Sequence, residues 1–182
     1  MQEPNTNRII SVTGGTRSGK SSWAEALLQD QEHITYIATM KKDPSDEDLA
    51  ERILKHQERR PSHWKLLESS NTLIDDFILI NPHRSILLES LGGFVTNNLH
   101  LQCKEWNILA DKLLTIICSY KGTIVVVIEE VGMSLVPSSN IGRLFSDRLG
   151  ILSQKLSSKA HDHWLVVQGR AIDLTSISIQ VP

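Results

Sequence analysis

Residues 9–21 read Ile-Ile-Ser-Val-Thr-Gly-Gly-Thr-Arg-Ser-Gly-Lys-Ser and combine a β-rich segment with a glycine-rich one. The first five residues are rich in β-branched side chains and predict a strand that ends at Gly14. The remainder matches G-x4-G-K-[ST], the phosphate-binding loop between a strand and a helix. Glycines let such a loop wrap around phosphates, Lys20 supplies a positive charge, and the Ser21 hydroxyl is a ligand for Mg²⁺. The stretch therefore predicts a nucleotide site, with a glycine-rich turn of a redox-type sheet as the alternative.

Strand and helix patterns alternate over the rest of the 182 residues. Apolar strands separated by amphipathic helices are typical of a mostly parallel sheet covered on both faces. We therefore expect an α/β fold of the P-loop NTPase (RecA-like) type, with three layers and helices flanking the central sheet. Residues 1–8 are expected to form a flexible extension, and residues 9–182 a single nucleotide-binding catalytic domain. The predicted strands are Ile9–Thr13, Ile34–Ala38, Trp64–Leu67, Ser85–Leu88, Thr123–Ile128, Trp164–Gln168 and Ile177–Val181, and the predicted helices are Lys20–Gln29, Asp46–Arg59, Thr72–Ile80, Glu105–Tyr120 and Ile141–Lys159.

Composition and charge narrow the class of protein. With 40% hydrophobic and 22% charged residues the chain has the balance of a globular protein. Its 19 Lys and Arg against 21 Asp and Glu give a net charge of −2, which argues against a nucleic-acid partner. Two cysteines without metal-binding spacing favour a reducing compartment. Because no apolar run is long enough to span a membrane and no signal-peptide pattern is visible, we expect a cytoplasmic protein.

Acidic residues follow two of the predicted strands. Glu89 comes after Ile86-Leu87-Leu88, and Glu129-Glu130 comes after Val125–Ile128. Ligands of parallel sheets bind beyond the carboxyl ends of the strands, so at least one of these carboxylates is expected to hold Mg²⁺ or its water. Strand-end carboxylates also begin solvated loops, and the residue types alone do not choose between the two positions.

One histidine lies on the packed face of a predicted helix. Leu49, Ile53 and His56 are spaced i, i+4 and i+7, a pattern that by itself favours an interior histidine over a catalyst. Arg59 and Arg60 at the end of that helix suit either phosphate binding or compensation of the helix dipole.

From about Ile9 to Leu174 the chain resembles the adenosylcobinamide kinase/adenosylcobinamide-phosphate guanylyltransferase family (CobU/CobP) of cobalamin biosynthesis. The phosphate loop alone would not single out this family, whereas the ordered set of matching residues is specific. That set consists of Thr13–Ser21, Ala24-Glu25, Tyr36–Thr39, Arg52-Ile53, His56, Arg60-Pro61, His63-Trp64, Leu87–Glu89, Val95, Asn97, Leu99, Glu130–Met133, Val136-Pro137, Gly142-Arg143, Phe145, Asp147-Arg148 and Gly150.

The resemblance implies a bifunctional enzyme and a set of site residues. Such an enzyme phosphorylates adenosylcobinamide, a corrinoid, with ATP or GTP, and then transfers GMP from GTP to that phosphate through a guanylylated histidine. This histidine maps to His56, with Lys20 as the second catalytic residue and Mg²⁺ at Ser21 and Glu89. The resemblance also implies a homotrimer. The implied nucleotide contacts are Gly14, Gly15, Thr16, Arg17, Ser18, Gly19, Lys20, Ser21, Ala38, Thr39, Met40, Gln57, Glu58, Arg59, Arg60, Glu68 and Glu89.

Several positions depart from the family, and two other functions compete with this one. Met40 stands where a small hydroxyl residue is common, Ser90 replaces a usual cysteine, and Glu129 replaces a usual asparagine. The alternatives are a P-loop kinase of another small molecule without guanylyl transfer, and a nucleotide-dependent binding or switch module without transfer chemistry. Trp106 and its apolar stripe fit a subunit interface and a core equally well.

Overall fold

The computed structural model describes residues 7–41, 51, 54, 60–70 and 72–181. In these ranges seven strands form one sheet in the order β3-β2-β4-β5-β1-β6-β7. All neighbouring strands are parallel except the β6–β7 pair, which is antiparallel. The strands are β1 (Arg8–Gly14), β2 (Ile34–Ala38), β3 (Lys65–Glu68), β4 (Ser85–Glu89), β5 (Thr123–Glu129), β6 (Asp162–Val167) and β7 (Arg170–Asp173).

Helices cover both faces of this sheet because the central strands are apolar on both sides. On β5, Ile124, Val126 and Ile128 pack into one core, while Val125 and Val127 pack into the other. The first core contains the apolar sides of α2 to α5, and the second contains that of α1. This arrangement confirms the predicted three-layer α/β fold. The helices are α1 (Lys20–Ala26), α2 (Leu73–Ile78), α3 (Leu91–Asn97), α4 (Cys103–Ser119), α5 (Asn140–Ser157) and α6 (Leu174–Ile177).

The end of the chain differs from the sequence prediction. Gln168 and Gly169 have φ angles of 50° and 73°, and they form the turn between β6 and β7. The predicted strand Ile177–Val181 is wrong. Its first residue, Ile177, is instead the last residue of the short helix α6, and Asp173 caps the start of that helix by accepting a hydrogen bond from the Thr175 amide at 2.9 Å. The alternation of Ile177, Ile179 and Val181 is real, but in the described chain no strand pairs with this segment.

Trp106 lies in the core of the described chain. It is 4% exposed and its ring centroid is 5.8 Å from that of Phe94 in α3. The Arg148 guanidinium lies 5.0 Å from the Trp106 ring and donates to the carbonyls of Asn98 at 2.9 Å and Leu101 at 2.6 Å. A buried guanidinium needs such acceptors. Arg148 thereby fastens the segment after α3 to α5.

Candidate active site

The predicted site residues of the sheet meet along its carboxyl edge. In the strand register Ala38 of β2 lies between Glu68 of β3 and Glu89 of β4. At the same edge, β5 lies beside β4 and β1 lies beside β5, and Gly14 of β1 is paired with Glu129 of β5. Residues that are far apart in sequence are therefore neighbours at one edge, as expected for a ligand site of a parallel sheet.

The phosphate loop has the tight geometry that its glycines allow. A Cβ on Gly14 would lie 2.5 Å from the Val166 carbonyl oxygen and 2.6 Å from Ser18 Oγ, so the loop closes against β6 only with glycine there. Gly19 has a φ of 98°, a conformation that favours glycine. The Gly169 amide donates to the Ser18 carbonyl at 2.9 Å, so the β6–β7 turn supports the loop from outside.

Two residues of the motif face the interior of the site. Lys20 Nζ donates to the Gly15 carbonyl at 3.3 Å, which folds the ammonium group back over the loop. The Ser21 hydroxyl donates to Glu89 Oε1 at 2.9 Å, although β5 lies between β1 and β4 in the sheet. Glu89, rather than Glu129 or Glu130, is thus the carboxylate that contacts the phosphate-loop serine.

Glu89 is a buried carboxyl group with an unused oxygen. Burial, with a smaller contribution from the negative charge of Glu129, raises its pKa to about 7 against the opposing effect of the Ser21 hydrogen bond. Glu89 Oε2 is buried and has no hydrogen-bond partner among the residues that the structure describes. Such an orphaned acceptor indicates that something else, a proton or a cation, satisfies it in the working protein.

The donor set at this point suits Mg²⁺. Magnesium takes oxygen ligands, keeps several waters, and is commonly held by one or two protein groups together with phosphate oxygens. Ser21 Oγ and the Glu89 carboxylate are oxygen donors of this kind. No group of three or more His, Cys, Asp and Glu side chains that could hold a metal occurs among the described residues. The two oxygen donors fit a magnesium ion whose other ligands are waters and nucleotide phosphate oxygens.

A hydrogen-bonded junction behind Glu89 was missed by the sequence reasoning. Thr39, which is fully buried, donates from its amide to the Glu89 carbonyl at 2.9 Å. Its hydroxyl accepts from the Ser90 amide at 2.9 Å and donates to the Ser90 carbonyl at 2.6 Å. Asn97 Nδ2 donates to the Thr39 carbonyl and to the Ser70 carbonyl, both at 2.8 Å. The pair Gly92-Gly93 after Ser90 is the sequence signal of this close packing.

The two acidic residues at the end of β5 have separate partners. Glu129 accepts hydrogen bonds from the Ser90 hydroxyl and, at 3.0 Å, from the Gly92 amide. Glu130 accepts from the amides of Gly132 at 2.6 Å and Met133 at 3.2 Å, in an exposed loop. Neither of these contacts involves the phosphate loop.

The remaining predicted nucleotide contacts are placed only in part. The Arg60 guanidinium lies 5.0 Å from the centre of the Tyr36 ring on β2. Glu68 is exposed at the end of β3, and Met40 is 43% exposed just after β2. The predicted helix Asp46–Arg59, with His56, Gln57, Glu58 and Arg59, lies outside the described residues apart from positions 51 and 54.

Two cavities adjoin the site in the described chain. A groove of about 950 Å³ begins at Thr13, Glu129 and Glu130 and continues along α5 and β6. Its walls are rich in hydroxyl groups, which include those of Ser11, Ser153 and Ser157. A smaller cavity of about 370 Å³ lies against the phosphate loop between Trp23 and Gly169.

Comparison with known proteins identifies a family for this chain. The family described as cobinamide kinase / cobinamide phosphate guanyltransferase matches residues 10–174. The bifunctional adenosylcobalamin biosynthesis protein CobU of Escherichia coli is 37% identical over 91% of this chain and 99% of that protein. The corresponding CobP of Pseudomonas aeruginosa is 30% identical over 90% of this chain and 95% of that protein. Among solved structures, the P4 protein of bacteriophage phi6 in complex with ADP has a TM-score of 0.47 and 12% identity, covering 90% of this chain and 52% of that one.

The strand–loop–helix of residues 8–26, set in a mostly parallel sheet with an acidic strand end facing Ser21, defines a P-loop nucleotide-binding protein. Within that class, the chain belongs to the cobinamide kinase / cobinamide phosphate guanyltransferase family. No helix of the described ranges has the length and apolar character needed to cross a membrane.

Proposed function

We propose that this chain is a bifunctional enzyme of cobalamin biosynthesis. It phosphorylates the aminopropanol hydroxyl of adenosylcobinamide with ATP or GTP, and it then transfers GMP from GTP to the new phosphate to give adenosylcobinamide-GDP and pyrophosphate. The observation that carries the proposal is the contact between Ser21 and the buried Glu89 at a complete phosphate loop, in a chain that matches the family over residues 10–174.

For the kinase step, the phosphate loop binds the triphosphate and Lys20 stabilises the negative charge that develops on the transferred group. Mg²⁺, held by Ser21 and Glu89, would neutralise part of the negative charge on the phosphate oxygens. The nucleotide contacts that we propose are Gly14–Ser21, Ala38, Met40, Gln57–Arg60, Glu68 and Glu89, and the buried Thr39 supports them from behind. The groove beginning at Thr13, the residue before the loop, has a volume of about 950 Å³ and supports the idea of a bulky acceptor.

For the second step, we assign the nucleophile to His56. Its neutral imidazole nitrogen attacks the α-phosphorus of GTP, a P–N bond forms, and the bond to pyrophosphate breaks. The phosphate of the corrinoid then attacks the same phosphorus, and the imidazole leaves. An imidazole suits both roles because its ordinary pKa is near 6.5, so a large fraction is neutral at pH 7, and because a phosphoramidate is labile. Arg59 and Arg60 would stabilise the charge on the phosphates.

Product analysis tests the proposal. The protein is incubated with adenosylcobinamide, Mg²⁺ and ATP, and GTP is added later. We expect a corrinoid phosphate first and a corrinoid-GDP product only after the addition of GTP, both resolved by liquid chromatography and mass spectrometry. A corrinoid phosphate that GTP never converts would favour the plain kinase, and an unchanged corrinoid would contradict the proposed function.

We further propose that the enzyme acts in the cytoplasm as a homotrimer, with residues 9–182 as one catalytic domain. Met133, Leu135 and Val136 support self-association because all three are more than 80% exposed in one loop after β5. Light scattering at micromolar protein concentration should give three times the mass of the chain. A monomeric mass would overturn the trimer.

A further inference from the structure

The carboxylate of Glu129 is bound to the segment that follows β4. Its two oxygens accept hydrogen bonds from the Ser90 hydroxyl and from the Gly92 amide. Ser90 is the N-cap of α3, and its hydroxyl also accepts from the Gly93 amide at 3.4 Å. A single side chain from the end of β5 therefore fixes the first turn of α3.

This first turn is continuous with Glu89, the carboxylate that faces the phosphate loop. Ser90 is 3% exposed, and both its backbone groups are bonded to the Thr39 hydroxyl. Glu89 and Ser90 are thus held from β2 by Thr39 and from β5 by Glu129. Of these two contacts, only the one from β5 is made by a charged side chain, because the Glu129 carboxylate accepts a hydrogen bond from the Ser90 hydroxyl.

The fit between the Glu129 carboxylate and the first turn of α3 is close. A Cβ on Gly92 would lie 2.4 Å from Glu129 Oε2, so this carboxylate approaches the backbone of α3 only because residue 92 is glycine. Glu130, one residue further along, bonds instead to amides of an exposed loop. The two consecutive carboxylates after β5 therefore bind different segments: Glu129 binds the start of α3, and Glu130 binds the loop that follows it in the chain.

We infer that Glu129 is a positioning residue that fixes Ser90 and the start of α3, and through them keeps the Glu89 carboxylate at the Ser21 hydroxyl. It acts without contacting the nucleotide itself. The inference rests on the proposed function in one respect, namely that Glu89 serves a magnesium–nucleotide complex. Outer partners of metal-binding groups commonly alter metal affinity by about 10- to 100-fold.

The test measures magnesium dependence in Glu129→Ala, Ser90→Ala and the double variant. The Mg²⁺ concentration for half-maximal corrinoid phosphorylation should rise at least about tenfold in each single variant. The double variant should resemble the single ones, because both remove the same hydrogen bond. Glu129→Gln should recover most of the magnesium affinity, since its amide can accept from Gly92 and donate to Ser90. If Glu129→Ala does not fold, Ser90→Ala carries the test, because it removes the same hydrogen bond from the other side, and a wild-type magnesium requirement in that variant would overturn the inference.

A second readout separates this inference from the proposed function. Thermal protection by Mg²⁺ with a non-hydrolysable ATP analogue is measured as a function of metal concentration, without corrinoid. Asp76→Asn is the matched control, because Asp76 also accepts serine and threonine hydroxyls near a helix start, from Ser69 at 2.7 Å and from Thr72. It should leave the magnesium midpoint unchanged. A folded Glu129→Ala protein with the wild-type midpoint, or strictly additive effects of the two single variants, would overturn the inference. A wild-type protein that is protected by the complex yet phosphorylates no corrinoid would instead contradict the proposed function.

Discussion

Replacing Glu89 by Gln should flatten a pH dependence of stability that the buried carboxyl group produces. The pKa of Glu89 is about 7 in the folded protein, compared with an ordinary value of 4.5. The folded state therefore binds the proton more tightly than the unfolded chain does. This contribution to stability is fully present below the unfolded pKa and is lost as the pH rises through the folded one. Between about pH 5.5 and about pH 8 the loss amounts to about 2 kcal/mol for one such group.

Glu89→Gln removes this titration while keeping an acceptor for the Ser21 hydroxyl. Urea unfolding of both proteins, without nucleotide and with chelator present, gives the free energy of unfolding at each pH. The wild-type value minus the variant value should fall by about 2 kcal/mol over that pH range, because titrating groups that do not interact with Glu89 cancel in the difference. A difference that stays constant with pH would show that the carboxyl group titrates normally, and would refute the buried, unsatisfied state assigned to Glu89.

Three further outcomes follow from the site. Lys20→Ala should lower kcat for corrinoid phosphorylation at least about 100-fold while the circular dichroism spectrum is unchanged; near-normal turnover would refute the phosphate-loop assignment. Gly93→Ala should cost about 1–3 kcal/mol in urea unfolding, because its Cβ would lie 2.2 Å from Thr39 Oγ1 and 3.0 Å from the backbone at Met40. Its control Gly150→Ala, with open space around the added carbon, should gain up to about 1 kcal/mol in α5, and equal effects would contradict the packing described. Phosphorylation should stop with chelator and return with Mg²⁺; activity without divalent metal would exclude the assigned role of Ser21 and Glu89.

The phosphate loop was predictable because its conformation is determined locally. Gly14 and Gly19 allow the tight backbone of the loop, and Lys20 supplies its positive charge. All three residues belong to the sequence motif itself. The parallel sheet was predictable for a similar reason, since the fully apolar β5 has to be covered on both faces. The pairing of Glu89 with Ser21 was inferred only as one of two possibilities, because it depends on the order of the strands across the sheet.

The junction at Ser90 could not be predicted in the same way. Hydrogen bonds among Thr39, Ser90 and Glu129 join the ends of three strands and leave no periodic pattern in the sequence. The residue types are ordinary at strand ends and helix caps. The β6–β7 hairpin is absent from the sequence prediction, in which the strand from Trp164 ends at Gln168 and no strand covers Arg170–Asp173.

Labelling with GTP that carries a radioactive α-phosphate tests whether His56 forms a covalent bond to GMP. The protein is incubated with this GTP and Mg²⁺, denatured, and assayed for retained label in the wild type, in His56→Ala, and in the control His63→Ala at an exposed histidine. We expect an acid-labile label on the wild type and on His63→Ala, and no label on His56→Ala. Undiminished label on His56→Ala would place the nucleophile elsewhere, and no label on the wild type would contradict guanylyl transfer through a covalent intermediate.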